Sequence, residues 1–186
     1  MTWKKFLEDR VDSDGYHAYF ADKYQSFLYQ ISKRLQNGEV VLKEEGCGIG
    51  STARCLSEYS YTVGKAIFSD IDQSVLDLCR QNTNYLPDAY LKEDIMSTRK
   101  VYHNKTVVVT HGVLEHIDPL NVQKIIDQYN KNPHIISHIH YVPTDVYKKP
   151  SFGDERLYPY SQWLLLYPSS WILDNGGKDL YLIFDK

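Results

Sequence analysis

Hydrophobic and polar positions along the chain follow two periods, and their order predicts an α/β fold. Short apolar runs between polar turns are typical of buried parallel strands, whereas apolar positions three and four apart indicate helices. The predicted strands are 40–42, 65–69, 88–92, 106–110 and 134–140. The predicted helices between them run through 51–56, through 74–82, and onward from Asp118-Pro119. This alternation indicates a mostly parallel, doubly wound sheet.

The first long helical pattern runs from Asp14 to Asn37, and Asn37-Gly38 is a typical helix stop. Its apolar stripe, for which core packing is the expected role, consists of Phe20, Tyr24, Phe27 and Ile31. Three further residues precede this stripe or lie off it and are candidates for a lid over a ligand: Tyr16, His17 and Tyr19.

The predicted fifth strand alternates two sets of side chains. One face carries Ile135, Ser137 and Ile139, and the other carries His134, Ile136, His138 and His140. The histidines could suggest a metal site, but no cysteine or carboxylate cluster accompanies them, so we expect none.

The last part of the chain predicts a structured loop, a short helix at 161–166 and a hairpin. Prolines 143, 150 and 159 exclude a regular central element from 142–159. Substrate residues would suit this loop, and the candidates are Asp154, Glu155, Arg156, Tyr158 and Tyr160. Residues 171–174 and 180–184 flank Asn175-Gly176-Gly177, which predicts antiparallel strands.

Composition narrows the possible functions. The chain has 186 residues, of which 42% are hydrophobic and 24% are charged, as in ordinary globular proteins. The net charge is −3 and no long basic run occurs, so an extended nucleic-acid surface is not expected. Three cysteines without C-x-x-C spacing indicate reduced thiols and a cytoplasmic location. We expect neither a signal peptide nor a membrane span.

A glycine turn follows the first strand. Gly46, Gly48 and Gly50 occupy alternate positions after Glu44-Glu45, and Ser51-Thr52 can cap the next helix. A strand, a glycine turn and a helix together present backbone N–H groups to a ligand. The turn does not fit the dinucleotide pattern G-x-G-x-x-G, because its third glycine comes one residue early.

An acidic residue ends the second strand. Asp70 lies twenty residues beyond Gly50, where a doubly wound site binds ribose hydroxyls. Asp72 is the alternative, although Asp72 followed by Gln73-Ser74 is more typical of a helix N-cap.

Two motifs carry a family resemblance. Glu44 to Gly50, with the pattern E-x-G-x-G-x-G, resembles the first motif of class I S-adenosylmethionine (AdoMet) dependent methyltransferases. Val113-Leu114-Glu115-His116, after the fourth strand, is similar to the small-molecule branch of that family. The resemblance implies one Rossmann-like domain with a mostly parallel seven-stranded sheet and a C-terminal antiparallel hairpin. Residues 1–38 would be a helical cover and 39–186 the AdoMet-binding core.

The resemblance also implies site residues. The methionine end of AdoMet would contact Glu44, Gly46, Cys47, Gly48 and Gly50. Asp70 would bind ribose and Asp94 adenine, and Ile71 and Ile95 are further candidate contacts of the cofactor. The backbone of Thr110 and His111 would lie beside the activated methyl group.

The methyl acceptor implied is a small molecule, with a peptide or protein side chain as the next choice. A general base is required only if the nucleophile arrives protonated. His111 is the first candidate, followed by His116 and Glu115, and the candidate substrate contacts are Tyr16, Tyr19, Arg156 and Tyr158. The chain has no Asp/Asn-Pro-Pro-aromatic motif after the fourth strand, which argues against amino methylation of DNA bases in that branch's manner.

Two other functions stay open. A dinucleotide-dependent oxidoreductase would use the same crevice, although the displaced glycine and the terminal hairpin count against it. A non-catalytic AdoMet-binding or regulatory protein would keep the fold without turnover, because a fold does not fix a function. The sequence leaves the oligomeric state open.

Overall fold

The computed structural model describes residues 3–11, 13–36, 39–58, 63–83, 89–97, 102 and 105–186. The helices are α1 Trp3–Glu8, α2 Asp14–Lys23, α3 Gln25–Leu35, α4 Ser51–Glu58, α5 Gln73–Asn82, α6 Pro119–Lys131 and α7 Tyr160–Trp163. The strands are β1 Val41–Glu45, β2 Lys65–Asp70, β3 Ala89–Lys92, β4 Thr106–His111, β5 Ile135–Pro143, β6 Ser170–Asp174 and β7 Asp179–Asp185. The predicted helix stop at Asn37-Gly38 and the predicted strand residue Asp88 lie outside the described residues.

One seven-stranded sheet has the order β3-β2-β1-β4-β5-β7-β6. The first five strands in sequence pair in parallel, and β7 pairs antiparallel with both β5 and β6. The predicted fold class and terminal hairpin are therefore confirmed. The strand order reverses direction between β1 and β4, and doubly wound sheets bind ligands at the carboxyl ends of the strands at such a point.

The predicted single helix from Asp14 is wrong in one respect, because it is broken at Tyr24. This residue has φ −106° and ψ 26°, so α2 and α3 meet there at an angle. Its ring is buried, and its centroid lies 4.3 Å from that of His111 at the end of β4. Phe20, Phe27 and Ile31 are buried as predicted.

Strand β1 continues past its predicted end at Leu42 through three charged residues, all of them buried. Lys43 accounts for this, because its Nζ lies 2.8 Å from Glu93 Oε2 and 3.4 Å from Glu45 Oε1. Buried charges are tolerated when they are paired in this way.

Strand β5 also differs from prediction. It extends to Pro143, the last residue of its ladder with β7, so the prolines do not exclude a strand from the whole of 142–159. A register shift puts Thr106 opposite Ile135 but Val107 opposite Ser137. This bulge places Ile135 in the core cluster that contacts α6 and Ile139 in the other cluster, so the two do not share a face.

Two helix starts follow the sequence prediction. Asp118 accepts a hydrogen bond from Asn121 N–H at 3.1 Å and Pro119 begins α6. Asp72 caps α5 through Ser74 N–H at 2.8 Å. Within the described part of the chain, no helix combines the length and apolar character that crossing a bilayer would require.

Candidate active site

A cleft of about 660 Å³ opens at the carboxyl ends of β1, β2 and β4. This volume is typical of small-molecule and cofactor sites. Helices α1 and α2 and the segment 149–155 also contribute to its walls. The cleft therefore coincides with the reversal point of the sheet.

The glycine turn forms one wall of the cleft. Gly46, Gly48 and Gly50 have φ values of +61°, +54° and +70°, which favour glycine strongly over other residues. Gly50 N–H donates to Cys47 O at 2.8 Å, which closes the turn directly before α4. Gly46, Cys47 and Gly48 line the cleft, whereas Gly50 lies behind them in the core.

Glu44 is buried at the base of this turn and lines the cleft. One of its carboxyl oxygens, Oε2, accepts a hydrogen bond from Ala53 N–H at 3.3 Å. Burial raises the pKa of Glu44 to about 7, although groups of Thr52 and Ala53 at the start of α4 lower it in part. The site can therefore offer this carboxyl to a ligand in either protonation state.

Asp70 ends β2 and faces the glycine turn. Its Oδ2 accepts from Gly48 N–H at 3.3 Å, and its Oδ1 accepts from Asp72 N–H at 3.0 Å. Burial raises the pKa of Asp70. Asp70 and Ile71 both line the cleft. Asp72, although nearby, is committed to capping α5, so Asp70 is the better placed of the two.

Asp94 and Ile95 follow β3 and line the same cleft. Asp94 Oδ1 accepts from Met96 N–H at 2.8 Å, which fixes the short turn that carries both residues. Glu93 also lines the cleft and pairs with Lys43. Sequence reasoning missed Glu93 as a site residue, because its partner lies fifty positions earlier in the chain.

His111 ends β4 inside a cluster of aromatic rings. It stacks on Tyr141 with centroids 4.3 Å apart, and Phe20 lies 4.8 Å away. Burial and, to a smaller extent, the charge of Lys23 lower the pKa of His111 to about 3, so the imidazole is neutral. Its buried Nε2 has no hydrogen-bond partner in the part of the chain that the structure describes. Thr110 turns its side chain away from the cleft, with Oγ1 lying 2.8 Å from His140 Nδ1.

Glu115 lines the cleft one helical turn beyond β4 and is 1% exposed. Its Oε2 also lacks a hydrogen-bond partner. Burial and, to a smaller extent, the nearby carboxylate of Glu155 raise the pKa of Glu115 to about 8. The site therefore holds a neutral imidazole and a largely protonated carboxyl group, whose pKa values are displaced in opposite directions.

His116 lies at the rim of the cleft. Its Nδ1 is 2.8 Å from Asp154 Oδ1, and its ring packs edge-on against Trp3 at 5.3 Å. Trp3 also contacts Phe152, with ring centroids 4.0 Å apart. These rings connect α1 to the segment 149–155 across the mouth of the cleft. Sequence reasoning missed α1, because six residues are too few to show a helical period.

The candidate substrate residues divide into two groups. Tyr16 and Tyr19 line the cleft, as a lid would require. Arg156 and Tyr158 do not line it. Arg156 N–H donates to Glu115 O at 2.9 Å, and Tyr158 packs on the buried Trp163 with ring centroids 5.5 Å apart.

We expect the free energy of unfolding to fall as pH rises from about 6.5 to about 8, since below about 6.5 the protonation of His111 in the unfolded chain acts in the opposite direction. Glu44 and Glu115 have pKa values of about 7 and about 8 in the folded protein, against an ordinary value of 4.5. The folded state then binds more protons in this range, so the slope is negative, by up to ~1.4 kcal/mol per pH unit for each group. Urea denaturation across this range should show a flatter slope for Glu115→Gln.

The exposed Glu8 supplies the control for this pH experiment, since Glu8→Gln should keep the wild-type slope. Identical slopes for wild type and Glu115→Gln would contradict a protonated Glu115.

Comparison with known proteins identifies the architecture. A scan against models of protein families and a search of curated sequences gave no match. Among solved structures, the small RNA methyltransferase HEN1 matches with a TM-score of 0.71 at 14% identity, over 87% of this chain and 25% of that chain. The N-methyltransferase NodS from Bradyrhizobium japonicum was solved with S-adenosylhomocysteine. It has a TM-score of 0.68 at 14% identity, over 100% of this chain and 99% of that chain.

A third structure gives the same result. An S-adenosylmethionine-dependent methyltransferase from Clostridium acetobutylicum has a TM-score of 0.65 at 11% identity, over 90% of this chain and 96% of that chain. Identities this low establish the fold and nothing finer. The strand order, the antiparallel C-terminal hairpin and these superpositions together show that this chain has the fold of class I AdoMet-dependent methyltransferases.

Proposed function

We propose that this protein is an AdoMet-dependent methyltransferase. The observation that carries the proposal is the position of Glu44, the glycine turn and Asp70 along one cleft at the reversal point of the sheet. A nucleoside with a charged amino-acid tail needs hydrogen-bonding groups in that order. The fold shared with NodS, solved with S-adenosylhomocysteine, supports the same ligand.

The residues present fit AdoMet. Glu44 and the N–H groups of the glycine turn would hold the methionine end, and Asp70 would accept hydrogen bonds from ribose hydroxyls. Asp94 and Ile95 would hold adenine by a carboxylate contact and by packing. The sulfonium supplies the electrophile, so the protein must orient the acceptor and exclude water.

The charge of the lining favours a cationic cofactor. Seven carboxyl side chains line the cleft: Glu44, Asp70, Asp72, Glu93, Asp94, Glu115 and Glu155. Three basic side chains accompany them: Arg10, Lys23 and Lys149. Glu115 is largely protonated and Glu93 is paired with Lys43, but the other five carboxyl groups still outnumber the three basic ones, which attracts a sulfonium and repels a phosphate backbone.

We propose a small molecule as the acceptor, with a peptide or protein side chain as the next choice. HEN1, by its name, acts on small RNA, but the acidic lining described here does not suit an RNA strand. Aromatic rings from α1, α2 and 149–155 narrow the mouth of the cleft. The proposed proton acceptor is His111, with Glu115 and His116 as alternatives, and the proposed location is cytoplasmic.

Replacing Asp70 tests the cofactor assignment. Asp70→Ala should weaken AdoMet binding by about 1–3 kcal/mol, because the ribose hydroxyls lose a charged acceptor. Calorimetric titration measures the change. Asp72→Ala is the matched control, since this carboxylate bonds α5 instead, and it should leave AdoMet affinity within about twofold of wild type. Equal losses in the two variants would remove the ribose role from Asp70.

A second experiment separates turnover from binding. The wild-type protein should bind AdoMet and S-adenosylhomocysteine but not NAD, and it should transfer a labelled methyl group to some members of an acceptor panel. Binding without transfer to any acceptor would favour the non-catalytic alternative. Tight binding of NAD alone would point to the oxidoreductase.

A further inference from the structure

Three buried polar atoms of the cleft lining have no hydrogen-bond partner among the described residues. One is Oγ1 of Thr52 at the start of α4, and the two at the end of β4 and just beyond it are Nε2 of His111 and Oε2 of Glu115. Both side chains line the cleft and are separated only by the turn that follows β4. Leaving a buried polar atom unpaired is unfavourable, so a ligand that pairs with both atoms gains affinity.

The other polar groups in this part of the cleft are already engaged. Tyr141 OH and Tyr147 OH both donate to Asp179 Oδ1, at 3.1 Å and 2.5 Å. Lys23 Nζ donates to Tyr147 OH at 3.1 Å and lies over the Tyr24 ring. These groups therefore form a fixed wall beside His111, and the unpaired polar atoms in this part of the cleft belong to His111 and Glu115.

The surroundings of His111 are aromatic. Phe20 and Tyr24 approach it from α2 and the α2–α3 junction, with ring centroids at 4.8 Å and 4.3 Å, and Tyr141 stacks beneath it. Aromatic faces and edges of this kind pack well against another flat ring.

Building on the proposed function, we propose that Glu115 and His111 bind the methyl acceptor, and that the acceptor is an uncharged aromatic ring bearing a hydroxyl group. A hydroxyl group accepts and donates at one atom. The protonated carboxyl of Glu115 would donate to the hydroxyl oxygen, and the neutral imidazole of His111 would accept its proton. The raised pKa of Glu115 and the lowered pKa of His111 agree with these roles.

Charged acceptors fit less well. A carboxylate on the acceptor would be repelled by Glu155 and by Glu115 whenever Glu115 is ionised. An ammonium group would be repelled by Lys23, and it lacks the lone pair needed for attack. An aliphatic alcohol would leave the aromatic walls without a matching surface. A hydroxyl on a flat ring satisfies both the polar pair and the walls.

The transfer step balances with these residues. A lone pair of the hydroxyl oxygen forms the new bond to the methyl carbon, and the bond from that carbon to sulfur breaks with its electrons on sulfur. The hydroxyl proton passes to Nε2 of His111. The positive charge moves from sulfur to the imidazole, which later releases the proton to solvent. A weak base suffices, because a methylated hydroxyl is strongly acidic.

The test measures binding of 2-naphthol to protein saturated with S-adenosylhomocysteine. Calorimetry should show that 2-naphthol binds at least ~10-fold more tightly than 2-methoxynaphthalene, 2-naphthoate or protonated 2-naphthylmethylamine. His111→Phe, which keeps a ring beside Tyr141, and Glu115→Leu should each lose at least ~10-fold in naphthol affinity. Glu115→Gln keeps a donor and should retain binding.

The controls separate this proposal from the cofactor assignment. His134→Phe removes an exposed histidine that does not line the cleft, so naphthol affinity should not change. S-adenosylhomocysteine affinity should also stay constant in every variant. If naphthol and its methyl ether bind equally, or if His111→Phe and Glu115→Leu bind naphthol as wild type does, this proposal is overturned. If the wild-type protein does not bind S-adenosylhomocysteine, the proposed function is overturned instead.

Discussion

Replacing Lys43 by methionine should lower the free energy of unfolding by about 3–5 kcal/mol. Lys43 is fully buried in β1, and its Nζ contacts Glu45 and Glu93. Methionine keeps most of the side-chain volume but removes the charge that compensates two carboxylates. Glu45 keeps its hydrogen bonds from Tyr129 OH and Tyr102 OH, yet both donors are neutral.

Urea denaturation followed by circular dichroism measures this loss. Lys4→Met is the control, because the Lys4–Glu8 pair is exposed and such pairs contribute about 0–1 kcal/mol. The triple variant Lys43→Met/Glu45→Gln/Glu93→Gln removes the uncompensated charges and should recover much of the loss. A Lys43→Met variant as stable as Lys4→Met would show that the buried network does not need its cation.

The fold was predictable wherever the hydrophobic period was strong. Strand β4 is an unbroken β-branched run, and α6 begins with Asp118-Pro119, so neither depends on distant partners for its recognition. The prediction ended strand β1 too early, at Leu42, because its last residues depend on a distant partner. Its charged residues are buried only because Glu93, far along the chain, pairs with Lys43, and no local pattern reveals such a partner.

The cleft was predictable along the side proposed for the cofactor and less so along the side proposed for the acceptor. The glycine turn, Asp70 and Asp94 follow predicted strands directly, so the parallel sheet brings them to one edge. The aromatic surroundings of His111 come instead from separate elements, including Phe20 on α2 and Tyr141 on β5. Proximity of that kind arises from tertiary packing.

The loop candidates show the same limit. Several residues of the segment 142–159 line the cleft, among them Phe152 and Glu155. Arg156 and Tyr158 do not line the cleft, and Tyr158 packs into the cluster around Trp163. A proline-rich loop has no period from which the direction of each side chain can be predicted.

Replacing Gly50 by alanine should lower the free energy of unfolding by about 2–5 kcal/mol, the sum of a backbone and a packing cost. With φ at +70°, a residue with a side chain is strained. The added Cβ would lie 2.7 Å from Thr83 Cγ2 and 3.0 Å from both Cys79 Sγ and Phe68 Cε1. All three neighbours belong to buried residues, so they cannot move aside easily.

Gly153→Ala isolates the backbone cost. Gly153 has φ +61° and nothing lies near its added Cβ, so this variant should lose only about 1–2 kcal/mol in urea denaturation. Thr83→Ser in the Gly50→Ala background removes the nearest methyl group but keeps the hydroxyl bonded to Cys79 O, and it should restore part of the stability. Equal losses for Gly50→Ala and Gly153→Ala would contradict the packing argument.

A substitution at Gly48 separates the effect on stability from the effect on ligand binding within the same turn. The φ of Gly48 is +54°, but the nearest atom to an added Cβ is Leu7 Cδ1 at 3.7 Å, which is ordinary contact. Gly48→Ala should therefore destabilise the fold about as much as Gly153→Ala. Gly48 also lines the cleft, so its new methyl group would occupy space that the methionine end of AdoMet needs. A loss of AdoMet affinity without the instability of Gly50→Ala would assign Gly48 to the ligand and Gly50 to the core.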